Sequence, residues 1–223
     1  MDFYLNTVST TLWDSLILLM NLEAFNDFRL VGGTSLSLQL GHRESVDIDL
    51  FTDAEYGSID FEKIEKVLKA NFLVVDSPFE GIVGMGKSYF IGHNEVDLVK
   101  LDLYYTDRFV FPVQTNKNIR YSCVKEIAAM KIEVVANGGR MKDFWDLHEL
   151  LVTYTLDEMI GFYLKRYPYS YSKSDIALKI IDFSSADNDF LPICYRGKVW
   201  ELIKLDFEDL QEEIGNGKKN PGV

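Results

Sequence analysis

The chain has 223 residues, of which 47% are hydrophobic, 26% are charged and only five are proline. This composition is typical of a folded globular protein and excludes a low-complexity or disordered chain. The 35 acidic residues against 23 Lys and Arg give a net charge of −12, which opposes broad, non-specific attraction to nucleic acid. A nucleic-acid substrate would therefore need a local basic patch or a basic partner.

The N-terminal residues 1–25 contain no basic leader region, and Asp14 and Ser15 interrupt their apolar run. We therefore expect neither a signal peptide nor a membrane span, and we predict a cytoplasmic protein. The two cysteines, Cys123 and Cys194, lie far apart and have no CxxC or CxxH spacing. This arrangement argues against a disulfide framework and against a zinc site.

Helix and strand patterns alternate through the first half of the chain. Apolar residues recur at helical spacing over 8–22, and a short strand, FRLVGG, ends at two glycines. In the following TSLSLQLGH, Thr34 is typical of a helix N-cap. Leu36, Leu38 and Leu40 would also share one face of a strand, but the preceding glycines favour the helix.

The segment SVDIDLFT alternates charged and apolar side chains, which predicts a strand with Asp47 and Asp49 on the face opposite the core. A helix is predicted over 58–71. Further strands are predicted in FLVVDS, KSYFIGH and VDLVKLDLYY, separated by glycine-rich turns such as EGIVGMG. Residues 1–118 are therefore expected to form an α+β domain with a mixed sheet.

Residues 119–223 are expected to form a helical bundle. Apolar residues recur at helical spacing in five segments, which are bounded by NGGR, Pro168 and Pro192. The five predicted helices are VKEIAAMKIEVVAN, MKDFWDLHELLVTY, LDEMIGFYLKRY, KSDIALKIIDFSSAD and VWELIKLDFEDLQEEI.

The stretch around the Asp pair indicates a site for a metal–nucleoside triphosphate complex. Two carboxylates two positions apart on a strand lie about 7 Å from each other, within range of a shared divalent ion. A glycine turn that leads into a helix offers N–H groups to a phosphate chain. A third carboxylate would come from VDLVKLDLYY, where Asp97 and Asp102 point to opposite faces. Asp102 is favoured because it lies mid-strand, but both remain candidates.

The segment GGTSLSLQLGHRESVDIDLFT resembles the glycine-rich and DxD motifs of the AbiEii/AbiGii toxin family, within the DNA polymerase β-like nucleotidyltransferase superfamily. The segment EIAAMKIEVVANGGRMKDFWDLHELL is similar to the second motif block of that family, and KIIDFSSADNDFLPICYRGKVWELIK is similar to its C-terminal segment. The resemblance covers residues 29–204. It implies a polymerase β-like nucleotidyltransferase domain followed by a helical bundle.

The resemblance also implies a set of site residues. It makes Asp47, Asp49 and Asp102 the metal ligands. It makes these three residues catalytic, together with Lys131 and Asp143. It implies nucleotide contacts for Gly32, Gly33, Thr34, Arg43, Ser45 and Asp146. For Lys131, which would contact a phosphate, an ordinary pairing with Glu126 or Glu133 remains an alternative. For Asp143 and Asp146 the alternative is a favourable interaction with the helix dipole.

The implied activity is transfer of a nucleoside monophosphate from an NTP to an acceptor, with two Mg²⁺ ions and release of pyrophosphate. The family implies a toxin of a toxin–antitoxin or phage-defence system, a separately encoded antitoxin, and tRNA ends as the acceptor. Two alternatives stay open. One is nucleotidylation of a protein or a small molecule, which the net charge of −12 mildly supports. The other is a non-catalytic module that binds a nucleotide or a protein.

Overall fold

The computed structural model describes residues 2–77 and 84–216, without the side chains of residues 215 and 216. Most of the expected EGIVGMG turn lies outside these residues. The chain divides into two compact units, Met1–Cys123 and Val124–Val223. The expected boundary at residue 118 falls before the last strand of the first unit, which pairs within the sheet of that unit.

The first unit contains one mixed sheet of seven strands in the order β3-β4-β5-β2-β1-β7-β6. Two neighbouring pairs, β2–β5 and β1–β7, are parallel, and the other pairs are antiparallel. The predicted α+β class with a mixed sheet is confirmed. The strands are β1 (Arg29–Leu30), β2 (Asp47–Thr52), β3 (Val74–Asp76), β4 (Gly86–Gly92), β5 (Val99–Tyr105), β6 (Val113–Asn116) and β7 (Ile119–Ser122). Its helices are α1 (Thr10–Asn21), α2 (Gly32–Leu40) and α3 (Phe61–Asn71).

The core of the first unit forms between the sheet and its helices. Along β2, Ile48 and Leu50 are fully buried, whereas Asp47 and Asp49, which alternate with them, are half-buried on the other face. Leu16 and Leu19 of α1 are fully buried in the same core. Because each such side chain contributes about 1.5–3 kcal/mol on burial, this alternation fixes which face of β2 carries the carboxylates.

The hairpin β6–β7 was missing from the predicted elements. Its two loop residues, Lys117 and Asn118, have φ values of 49° and 63°, as the tight two-residue hairpin turn requires. Asparagine tolerates this conformation better than most residues, so the NKN sequence carries a weak turn signal. Leu30 of β1 pairs in parallel with Tyr121 of β7, which joins the hairpin to the sheet.

Helix α2 forms as predicted, but it begins at Gly32 rather than after a cap at Thr34. Val31 occupies the N-cap position in an extended conformation, and Thr34 lies inside the first turn, fully buried. The helix ends at Leu40, and the C-cap residue Gly41 has a φ of 68°, the left-handed conformation that favours glycine at this position. The glycine pair therefore belongs to the helix itself.

The second unit is built of helices α4 to α8, each of which coincides with a predicted segment. They are α4 (Val124–Ala136), α5 (Met141–Leu150), α6 (Leu156–Arg166), α7 (Lys173–Lys179) and α8 (Trp200–Asn216). Helix α7 is shorter than predicted and ends at Lys179. The ring of Phe144 lies at the centre of an aromatic core, with ring centroids of Phe183, Trp200 and Phe207 between 5.1 and 6.0 Å away. Over residues 2–77 and 84–216, no helix is both long and apolar enough to cross a membrane.

His148 of α5 makes the stability of the second unit depend on pH. Its Nε2 lies 2.7 Å from Oδ2 of Asp206, and Nζ of Lys198 lies 2.8 Å from its Nδ1. Burial lowers the pKa of His148 below the usual 6.5, although the contact with Asp206 and the charge of Glu149 oppose this shift. Lys198 adds to the lowering. The side chain is therefore neutral in the fold at neutral pH.

A group whose pKa is lowered on folding contributes stability above its unfolded-state pKa and loses it as the pH falls toward the folded-state value. Between about pH 7.5 and about pH 5.5, across the ordinary histidine pKa, wild-type protein should lose more unfolding free energy than His148→Gln. Urea denaturation of both proteins at the two pH values measures the difference. Equal losses would show that His148 does not carry the effect.

Candidate functional site

Three carboxylates and one ammonium group lie together on one face of strands β2 and β5. The strands are parallel neighbours, and their register places Asp49 directly beside Asp102 and Asp47 directly beside Lys100. Because side chains two positions apart share a strand face, all four side chains project to the same side of the sheet. The predicted Asp47, Asp49 and Asp102 are thus brought together by strand pairing.

Lys100 was missing from the predicted site. Its Nζ lies 2.5 Å from Oδ2 of Asp102, and the two side chains are 39% and 14% exposed. Burial alone would lower the pKa of the Lys100 ammonium, but the bond to Asp102 and the charges of Asp47 and Asp49 raise it above its usual value. The segment KLD could have predicted this residue, since alternation along a strand places Lys100 on the same face as Asp102.

Asp97, the other candidate for a third carboxylate, lies apart from this face. The predicted strand VDLVKLDLYY begins only at Val99, so Asp97 belongs to the exposed turn before β5. Its carboxylate accepts a hydrogen bond from the hydroxyl of Thr11, and its backbone N–H donates to the side chain of Asn94 at 2.8 Å. The register therefore separates Asp97 from the two carboxylates of β2.

The glycine pair brings the start of α2 against the acidic face. The N–H of Val31 donates to the carbonyl of Asp49 at 2.9 Å. Gly32 has a φ of 67°, and a Cβ at this position would overlap Oδ2 of Asp49. A Cβ at Gly33 would likewise overlap the guanidinium of Arg43. The lack of a side chain at both glycines therefore allows the helix start to lie close to these charged side chains.

Three buried polar residues lie close to the start of β2: Thr34, Ser45 and Arg43. Thr34 is fully buried, and its hydroxyl bonds to the Ser45 hydroxyl at 2.8 Å and to the carbonyl of Asp47. Ser45 and Arg43 are 8% and 3% exposed. The N–H of Ser45 donates to the carbonyl of Thr7 at 2.8 Å. These contacts fix the chain segment that leads into the first carboxylate.

In the second unit, the predicted residues Lys131, Asp143 and Asp146 form a buried ionic cluster. Nζ of Lys131, on α4, lies 2.5 Å from Oδ1 of Asp143 and 2.7 Å from Oδ2 of Asp146, both on α5. The three side chains are at most 8% exposed. Oδ2 of Asp143 also accepts the backbone N–H of Arg140 at 3.0 Å, which caps α5. Lys131 therefore pairs with both aspartates of α5.

The Gly32→Ala substitution should destabilise the first unit more than a substitution at another left-handed glycine. Gly57 provides the control, because its φ is 83° and a Cβ there would meet no atom within 4 Å. Both variants strain the backbone, but only Gly32→Ala also crowds Asp49. We expect Gly32→Ala to lose about 1–3 kcal/mol more unfolding free energy than Gly57→Ala, the range for overpacking. Urea denaturation tests this, and equal losses would refute the close approach.

Comparison with known proteins identifies the family of the chain. Residues 17–213 match the family described as nucleotidyl transferase AbiEii toxin of a type IV toxin–antitoxin system. The chain belongs to the AbiEii nucleotidyltransferase family. An uncharacterized protein of Aquifex aeolicus (strain VF5) is 28% identical to this AbiEii chain over 204 residues, covering 86% of the chain and 87% of the relative.

Solved structures share the fold of this AbiEii chain. A candidate nucleotidyltransferase from H. pylori superposes with a TM-score of 0.58 at 18% identity, over 94% of the chain and 95% of the relative. The nucleotidyltransferase toxin MenT4 from Mycobacterium tuberculosis H37Rv gives a TM-score of 0.52 at 15% identity, over 91% and 82%. The family match shows that the chain is a nucleotidyltransferase, and these structures share its predicted α+β fold.

Nucleotidyltransferases of this family use an NTP and a divalent metal ion, and the acidic face has suitable donor chemistry. Carboxylate oxygens are the ligands that Mg²⁺ prefers. Among the described residues, Oδ1 of Asp102 is buried and has no hydrogen-bond partner, as is expected of an oxygen that serves a ligand. Within the same residues, no three acidic, His or Cys side chains are arranged to hold a metal ion as they stand. The donors fit, but metal binding requires their side chains to move.

Proposed function

We propose that this AbiEii chain transfers a nucleoside monophosphate from an NTP to a hydroxyl group of an acceptor RNA, with release of pyrophosphate. The observation that carries the proposal is the register of β2 and β5, which sets Asp49 beside Asp102 on the face that the Gly32 turn approaches. Carboxylates next to a helix N-terminus are the combination that a metal-bound triphosphate needs.

The triphosphate would lie against the start of α2. The N–H groups of the first turn, which begins at Gly32 and Gly33, carry the positive end of the helix dipole. Arg43 is close enough to Gly33 that any side chain there would meet its guanidinium, so a phosphate at the turn lies within its reach. Because the Thr34 hydroxyl is buried against Ser45 and Asp47, we assign Thr34 to positioning these two residues and Ser45 to the phosphate side.

Asp47, Asp49 and Asp102 would hold the Mg²⁺ ions, two in number. When bound, the metal would supply Lewis-acid activation of the acceptor hydroxyl and would stabilise charge on the departing pyrophosphate. The carboxylates would hold the metal on the face that the start of α2 approaches, where the triphosphate would lie. Their places on two paired strands fix the backbone that carries them, so only the side chains need to move to reach a productive geometry.

For Lys131 we propose the contribution that the family resemblance implies, a contact with a phosphate, and for Asp143 and Asp146 we propose that they hold its ammonium group for that contact. The ammonium group is held between two carboxylates at 2.5 and 2.7 Å. These two contacts point the ammonium group in one direction. The cluster also links α4 to α5, so the same residues support the fold of the second unit.

The family description places the chain among the toxins of toxin–antitoxin systems. We therefore propose that it acts in the cytoplasm on RNA, with tRNA ends as the acceptor, and that a separately encoded antitoxin counteracts it. The net charge of −12 favours a second candidate, nucleotidylation of a protein or a small molecule, because it repels an RNA backbone. Acceptor binding at increasing salt separates the two, since RNA binding weakens steeply as salt rises.

The decisive experiment incubates the purified chain with Mg²⁺, each α-³²P-labelled NTP in turn, and either total cellular RNA or protein extract. The Asp47→Asn/Asp49→Asn double variant serves as the control. If label enters RNA with the wild-type chain but not with the double variant, the proposal is supported and the labelled NTP is the donor. Label in protein alone supports the second candidate, and no label from folded protein in any fraction contradicts nucleotidyl transfer to either acceptor.

A further inference from the structure

Lys100 lies among the three carboxylates that would bind the metal ion. It lies beside Asp47 in the register, and its Nζ bonds to Oδ2 of Asp102 at 2.5 Å. Asp49 lies beside Asp102 in the same register. Three carboxylates and the ammonium group of Lys100 therefore lie on three consecutive residue pairs of two neighbouring strands.

An ammonium group and a divalent cation compete for the same carboxylate. While Lys100 bonds to Asp102, any cation that approaches that carboxylate meets a positive charge at hydrogen-bond distance from it. The second oxygen, Oδ1, is buried and has no hydrogen-bond partner among the described residues. Asp102 is thus paired through one oxygen only, and among the described residues the acidic side chains are not yet arranged to hold a metal ion.

We propose that Lys100 is the resident counter-ion of the acidic face: it holds Asp47, Asp49 and Asp102 together before metal binds, and it releases Asp102 to the divalent cation. This inference rests on the proposed metal-dependent function. It assigns Lys100 a positioning role, in which it lowers metal affinity and prevents mutual repulsion of the carboxylates when no metal is present.

The chain offers a matched control in Lys87 of β4. Nζ of Lys87 pairs with Oε2 of Glu65 at 2.6 Å, and its side chain is 15% exposed. Lys87 is in register with Leu103 rather than with Asp102, so its ion pair lies on the other face of the same sheet. Lys87→Gln therefore removes a partly buried lysine without touching the acidic face.

The test titrates Mn²⁺ into the full chain without nucleotide and follows free Mn²⁺ by electron paramagnetic resonance at fixed pH and salt. Removal of one neighbouring positive charge should make Lys100→Gln bind Mn²⁺ at least about tenfold more tightly than wild type. Lys100→Arg, which keeps the charge, and Lys87→Gln should both stay close to wild type. In EDTA, Lys100→Gln should also melt at a lower temperature than wild type, and saturating Mn²⁺ should remove this difference.

Unchanged or weaker Mn²⁺ binding by Lys100→Gln would overturn the counter-ion role. An unchanged melting temperature in EDTA would overturn its part in holding the carboxylates together. Asp49→Asn separates these failures from failure of the proposed function. If Asp49→Asn abolishes Mn²⁺ binding while Lys100→Gln matches wild type, only the role of Lys100 is wrong. If wild type and Lys100→Gln both fail to bind Mn²⁺, the metal-dependent function and the counter-ion role are wrong together.

Discussion

Asp49→Asn is expected to reduce nucleotidyl transfer on the order of 10³-fold, because a metal that stabilises transition-state charge contributes several kcal/mol. The amide keeps the volume of the carboxylate but removes the charge next to Asp102. Single-turnover transfer of labelled nucleoside monophosphate under saturating Mg²⁺ measures the effect. The fold should change little, since Asp49 lies on the half-buried face opposite the core.

Asp97→Asn is the matched control for this loss. It makes the same chemical change only five positions before Asp102, but on an exposed turn where the carboxylate bonds to Thr11. Transfer by Asp97→Asn should stay near the wild-type rate, whereas Asp102→Asn should behave like Asp49→Asn. A fully active Asp49→Asn variant would contradict the metal-dependent mechanism. A stronger defect in Asp97→Asn than in Asp102→Asn would show that the wrong third carboxylate has been assigned.

Lys131→Met should cost about 3–5 kcal/mol of unfolding free energy, the usual result of removing one partner from a buried ionic cluster. Methionine fills the space of the lysine chain but removes the ammonium group between Asp143 and Asp146, and both aspartates are at most 8% exposed. Urea denaturation followed by circular dichroism measures the loss. Lys165→Met, at an exposed position of α6, should change stability by no more than about 0.5 kcal/mol.

A triple variant, Lys131→Met/Asp143→Asn/Asp146→Asn, distinguishes the structural contribution of the cluster from a phosphate contact. Removing all three charges eliminates the uncompensated carboxylates, so most of the lost stability should return. The NTP concentration required for transfer should nevertheless stay raised, because no ammonium group remains. If the triple variant regains stability and needs no more NTP than wild type, Lys131 supports the fold alone. If Lys131→Met is as stable as wild type, the buried cluster is refuted.

Part of the site follows from local sequence pattern. The alternation in SVDIDLFT places Asp47 and Asp49 on one face, because each buried Ile or Leu between them contributes more than an exposed one. The same reasoning applied to KLD would have found Lys100. Thr34 was misread as a helix cap because its residue type favours that position, yet the helix begins at Gly32 and Thr34 is buried with its hydroxyl on Ser45 and Asp47.

The sequence by itself determined the α+β class, the helices of the second unit, the family motifs and the face of β2 that carries the carboxylates. These features depend on periodicity within short segments, where neighbouring residues decide which side is buried. The tertiary structure decided that β2 pairs with β5, that Asp49 lies beside Asp102, and that Lys131 is enclosed by Asp143 and Asp146. Strand register and ion pairing join residues distant in sequence, and their geometry depends on how the whole core packs, which no local pattern specifies.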